Sequence, residues 1–271
     1  MLLYFRPFMI AAPASLRKVL PLLAFACFPA CLHAQDTTYT REPAAEIDPS
    51  KPSNLYSSVE VSGEWQQSEG SIHTWGTRIS GSYAPSERHL LQVELPFVYH
   101  TGSGKMGIGD LRGRYFGLVK KDDTKVVSAL GGSLDVFFPS GNRAYGLGSG
   151  SWIIAPGIIA GITLSPKVLV YPIVSFVHIT KPHLDGAKAS NGGSIEVLSV
   201  FDLGANAWLQ FTPKFSINDF ENKQNTNINF RLNLGKMVKE DLSLAAEAFW
   251  EAKNKFGPQQ GFQLSIGKYF L

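Results

Sequence analysis

The residues of this chain that could do chemistry do not assemble into a reaction centre. Ser175 and His178 come nearest to a nucleophile and its base. On a strand, residues three apart point to opposite faces, so the pair cannot meet. A barrel-embedded lipid-modifying enzyme, the class that would use such a pair, is therefore the third and weakest reading. His73, His89, His100, His178 and His183 are scattered, and none stands at metal-ligand spacing from a second candidate. Gly102-Ser103-Gly104-Lys105 resembles half a phosphate loop. Tyr99 stands where its first glycine belongs, Met106 replaces the Ser or Thr, and no helical pattern follows. Gly146, Gly148 and Gly150 lack dinucleotide spacing. No catalytic residue, cofactor or metal is expected.

The charged residues carry more information, because they recur at every second position of otherwise apolar stretches. Glu60, Glu64, Arg78, Glu94, Asp110, Arg112, Arg114, Asp135, Glu196, Asp202, Lys214, Arg231, Glu247 and Glu251 all oppose apolar rows. If each stretch is a strand of a closed barrel, one row meets lipid and the charged row lines the lumen, where it would filter solutes. The alternative is a salt-bridged interior that merely fills the barrel. Nine of these residues are acids and five are bases, so pairing would be incomplete if all face inward. Arg112 and Arg114 share a face and repel, with Asp110 and Asp135 the nearest candidates to compensate them.

These charges have to be positioned by strands, and the chain supplies about twelve. The most regular is Leu91, Val93, Leu95, Phe97 and Tyr99 against Gln92 and Glu94. The central stretch, residues 126–161, reads as two apolar strands around a glycine loop. Pro139 has no N–H to continue the ladder, Ser140-Gly141 open the loop, Gly146, Gly148 and Gly150 keep it irregular, and Trp152 begins the next strand. Ile153, Ile154, Ile158 and Ile159, then Val170, Tyr171, Ile173, Val174 and Phe176, are apolar on both faces. An apolar wall inside the lumen would suit a hydrophobic or aromatic solute; a loop or leader packed inside the barrel would account for it equally. Connections alternate between short and long, with Lys181 to Ser194 the longest polar loop, as in barrels with short periplasmic turns, long outer loops and both termini on the periplasmic side. No run of eighteen apolar residues exists, so helical spans are excluded. At the C-terminus Tyr269 is out of phase with Phe262, Leu264, Ile266 and Phe270.

Length and composition fit one such domain. The 271 residues include 44% hydrophobic and 12% aromatic types and 26 glycines. Residues 1–34 read as a cleaved signal peptide: Arg17-Lys18, an apolar run, then Leu32-His33-Ala34 before Gln35. Cys31 raises a lipoprotein alternative, which Pro29 in the preceding Phe28-Pro29-Ala30 fits poorly. Of the 25 Lys and Arg, three lie in that segment with no acid, leaving 22 to balance 22 Asp and Glu. No basic nucleic-acid surface is implied. Cys27 and Cys31 both leave with the signal, so disulfides and cysteine metal sites are excluded. Residues 35–54, polar and holding Pro43, Pro49 and Pro52, read as a flexible periplasmic leader, and 55–271 as the barrel.

Gly109-Asp110-Leu111, Phe138-Pro139-Ser140-Gly141 and Leu147-Gly148-Ser149-Gly150 with Trp152 resemble the outer-membrane transporter family of the phenol meta-cleavage pathway. The resemblance spans roughly His89 to Leu271 and implies a barrel that takes up aromatic or other hydrophobic compounds. The expected setting is the outer membrane of a Gram-negative bacterium. Its lipid, a small-molecule solute and, during biogenesis, the barrel assembly machinery are the expected partners. The expected function is passive uptake of small hydrophobic or aromatic solutes; the alternative is a closed structural or binding barrel.

Overall fold

The computed structural model describes residues 47–68, 72–122, 124–180, 188–221, 226–252 and 258–270. The expected signal peptide with Cys31, the first part of the expected leader, His183 and residues 181–187 of the expected polar loop lie outside them. Among the described residues, thirteen strands form one antiparallel sheet: β1 (Ser57–Ser68), β2 (His73–Ser86), β3 (His89–His100), β4 (Lys105–Ile108), β5 (Leu111–Lys121), β6 (Val127–Phe138), β7 (Ile153–Ser165), β8 (Val168–Ile179), β9 (Ser190–Gly204), β10 (Ala207–Ile217), β11 (Thr226–Lys239), β12 (Leu242–Glu251) and β13 (Pro258–Phe270). Each pairs with its neighbour in sequence, and β1 pairs with β13, so the sheet closes on itself. Closure leaves no exposed edge, which a membrane-spanning sheet requires. β4 and β5 both pair with β3, Phe97 with Ile108 and Glu94 with Arg112, so they are one barrel strand interrupted at Gly109-Asp110. The result is a twelve-stranded transmembrane β-barrel. No described helix is long and apolar enough to cross a membrane.

Alternation sets the two faces. Val93 is 59% exposed and Ile158 65%, as are Trp75, Tyr83, Leu232 and Leu264 on the same outer surface. Aromatic pairs cluster outside near one rim, with Trp65–Trp75 centroids 6.3 Å apart, Phe138–Trp152 5.0 Å and Phe230–Trp250 5.5 Å, as an interfacial girdle does. The phase break at the C-terminus has a simple cause. Tyr269 turns inward, where its hydroxyl lies 3.2 Å from Ser243 Oγ and its ring meets Tyr56, while Phe270 stays outside.

Two segments differ from the sequence reading. β9 begins at Ser190, inside the stretch expected to be loop, and Gly193 pairs with Phe176. The leader is not free from Ile47 onward: Ile47, Ser50 and Ser53 are buried. These residues fold back inside the end of the barrel that carries both termini, where Ile47 packs with Trp208 and Met237.

Candidate functional site: the lumen between leader and loop

The leader is held by its own side chains. The Asp48 backbone N–H donates to the Tyr56 hydroxyl at 3.1 Å, and the Ser50 N–H donates to Asp48 Oδ1 at 3.1 Å. Asn54 Nδ2 donates to the Asp48 carbonyl at 3.1 Å, and Lys51 Nζ lies 3.1 Å from Asp48 Oδ2. Burial pushes the Tyr56 phenol above its usual pKa, so it stays neutral while it anchors this turn. The barrel wall adds two contacts. Gln210 Nε2 donates to the Ser50 carbonyl at 3.1 Å, and Ser53 Oγ lies 3.2 Å from the Tyr171 hydroxyl. Leu55 packs on an inward apolar cluster of Phe116, Leu118, Ile159, Leu169, Tyr171 and Val200. The expected flexible leader is thus, from residue 47, a folded plug, because the lumen offers it both apolar cover and hydrogen-bond partners.

At the opposite end, residues 139–152 lean over the inner face of β3 and β4. Asp110 fastens them: its Oδ1 accepts from the Gly141 N–H at 3.0 Å and its Oδ2 from the Ser149 N–H at 2.6 Å. Ser140 Oγ accepts from the Leu111 N–H and donates to the Gly109 carbonyl, both at 2.9 Å. Gly148 and Gly141 touch, and a Cβ on Gly148 would collide with Asp110 Oδ1 and the Gly141 backbone, so only glycine fits. Gly146, which closes the turn Arg143–Tyr145, and Gly150 have positive φ, no residue of that turn is buried, and Leu147 is buried. Pro139, Ser140, Gly141, Gly146, Gly148 and Gly150 therefore belong to a loop fastened to the barrel wall, while Trp152 packs on Phe138 outside. Asp110 is a correction as well. The spacing predicts that it lines the lumen and compensates Arg112 and Arg114, but the bulge at Gly109-Asp110 leaves its carboxylate bound to the loop amides.

Between plug and loop, charges join in one ladder across β1, β2, β3, β5 and β6. Arg78 lies 2.9 Å from Glu64 and 3.9 Å from Glu94, and Arg112 lies 3.0 Å from Glu94 and 2.8 Å from Asp135. Arg114 Nε lies 2.7 Å from Asp135 Oδ1 and its other end donates to Oδ2 at 3.1 Å. Three guanidiniums and three carboxylates alternate, so Glu94 supplies the compensation that the sequence reading assigned to Asp110. The inner faces of β10 to β13 are polar but differently organised. Lys214 stands 3.6 Å from Glu196. Glu251 accepts from Asn227 at 3.0 Å and Asn229 at 3.2 Å. Glu247 lies in register with Asn233 and Gln263, Arg231 with Thr212, and Glu60 with Ser80. Asp202 sits at the rim near the termini, where its Oδ1 accepts the Gly204 N–H at 2.7 Å. The fourteen charged candidates are therefore distributed among a ladder, a polar flank, a loop clasp and a rim.

On β7 and β8 no inward residue is charged: Ile153, Ala155, Gly157 and Ile159 face Ile173, Ser175 and Val177. They border a cavity of about 660 Å³ that also touches Arg112, Arg114, Asp135, Lys214 and the plug residues Pro49, Lys51, Pro52 and Leu55. That size is in the range of small-molecule sites. Ser175 lines it, whereas His178 lies on the other face and bonds Asn191 at 2.8 Å, so the two never approach. Among the described residues no group of three His, Cys, Asp or Glu could hold a metal. The plug was the element hardest to find in sequence. Its signals were only Ile47 and Leu55 in a polar stretch and the doubly apolar strands that receive it.

No family model matches the chain, and no curated protein matches it in sequence. Solved structures do match. An outer-membrane channel from Pseudomonas putida F1 superposes with a TM-score of 0.64 at 15% identity, over 86% of this chain and 100% of that one. The NanC porin gives 0.61 at 10% identity over 79% and 100%. The KdgM porin, in complex with disordered oligogalacturonate, gives 0.55 at 10% over 79% and 99%. At these identities the likeness is one of architecture: this chain has the barrel fold of outer-membrane channels.

Proposed function

We propose that this protein is an outer-membrane channel of a Gram-negative bacterium, through which small hydrophobic or aromatic solutes pass passively. The observation that carries this reading is the uncharged inner face of β7 and β8 bordering a cavity of about 660 Å³ within the barrel. A pore for hydrophilic solutes gains nothing from such a wall, whereas an apolar solute leaving water is stabilised on it by roughly 25 cal/mol per Å² buried. The fold shared with outer-membrane channels and the glycine motifs resembling the phenol-pathway transporters support the same reading. The plug closes the end bearing the termini, so passage requires residues 47–55 to move. The experiment is uptake. Cells with this protein in their outer membrane should accumulate a neutral aromatic such as biphenyl faster than cells without it. Equal initial rates at verified surface expression would refute the reading and favour a closed structural barrel.

A further inference from the structure

The cavity has a charged border that the transport of neutral apolar solutes does not use. Lys51, Arg112, Arg114 and Lys214 line it with Asp135 and Glu196, while Asp48 and Glu94, the partners of Lys51 and Arg112, stand outside the lining. The exposures give the field its sign. The side chains of Arg114 and Lys214 are 36% and 38% exposed, against 15% for Asp135 and 28% for Glu196. Asp135 is also saturated: Oδ1 accepts from Nε of both Arg112 and Arg114, and Oδ2 accepts from Arg114. Lys214 is beyond hydrogen-bond range of Glu196 at 3.6 Å, so its ammonium protons are available. Unspent donors thus face the cavity and are more exposed than the acceptors that balance them.

Their placement is specific. The register runs from Arg114 to Asp135 to Ala155, and from Lys214 to Glu196 to Ile173. A cation therefore flanks the uncharged β7–β8 wall on each side, two strands away, or roughly 10 Å. We propose that the cavity recognises amphiphilic organic acids, with the apolar body on Ile153, Ile173 and Val177 and the carboxylate on Arg114 or Lys214. A carboxylate there replaces water on a partly exposed cation and gains charge-assisted hydrogen bonds. This deepens the uptake reading and rests on its apolar wall.

The test separates the two claims. The mature protein in nanodiscs of neutral lipid is titrated calorimetrically with 4-phenylbutyrate, 4-phenylbutanamide, 4-phenylbutylammonium and D-galacturonate, with empty discs subtracted. The acid should bind at least about tenfold tighter than the amide, and the ammonium and galacturonate weakest. Arg114→Gln with Lys214→Met should bring the acid down to the amide. Lys214→Met alone leaves the Arg112–Asp135–Arg114 cluster intact and should still narrow the preference if the double variant does not fold. Equal binding of acid and amide overturns the anion site but leaves the apolar wall standing. Galacturonate binding as tightly as phenylbutyrate overturns the amphiphile. Binding of none of the four removes the uptake reading together with this one.

Discussion

β3 and β7 obey the same backbone rule and present opposite inner faces. On β3, Leu91 and Val93 meet the outside while Gln92 and Glu94 meet the lumen, and Glu94 joins a ladder of alternating charge. On β7, Ile154 and Ile158 lie outside, and Ile153 and Ile159 lie inside with no charge between them. A strand apolar on both faces must have something apolar on its inner side. Near the termini that partner is Leu55 of the plug. Farther along, Ile153 and Val177 border open cavity instead. The charged strands pair with one another along the inner wall, and the apolar strands border open cavity.

The ladder side should be the more sensitive to loss of one member. Asp135→Ala strips a carboxylate shared by two guanidiniums, and should cost about 3–5 kcal/mol in urea unfolding from lipid vesicles. A loss within error would mean that the ladder holds nothing. The next test sets the two faces of β7 against each other. Ile158→Arg places a charge in lipid and should cost about 2–4 kcal/mol if it lies near the midplane, whereas Ile153→Arg, facing the lumen, should cost less in the same refolding titration. The reverse order would invert every inward and outward assignment in phase with it.

Smaller effects test the two ends. Gly148→Ala cannot coexist with the Asp110 clasp. It should release residues 139–152, giving protease cleavage there at a loss of about 1–3 kcal/mol while the barrel remains intact. Tyr171→Phe removes the hydroxyl that meets Ser53 and should weaken the plug by about 1 kcal/mol. More frequent openings in planar bilayers would report it, and deletion of residues 47–54 should exceed it in conductance. An unchanged trace for the deletion would show that the plug closes nothing.

The strands and their faces were legible in sequence because lipid on one side imposes a period of two, as Leu91 to Tyr99 show. Asp110 was misplaced because it keeps the spacing of Arg112 and Arg114, while the interruption that frees its carboxylate is signalled only by Gly109. The plug was illegible for a different reason. Ser50 meets Gln210, and Ser53 meets Tyr171, across more than a hundred residues of chain, and no local pattern encodes such a contact. Ser190 to Ser194 looked like loop because small polar residues and Gly192-Gly193 carry no apolar row. Pairing with β8 makes them strand.

The central claim is that solutes travel along the uncharged wall of β7 and β8. Its most direct test is the initial rate of biphenyl accumulation by cells carrying Ile153→Asn with Val177→Asn, matched to wild type for folded protein by heat-modifiability of the barrel. The account predicts a rate that falls to that of cells lacking the protein. Accumulation at the wild-type rate would contradict it.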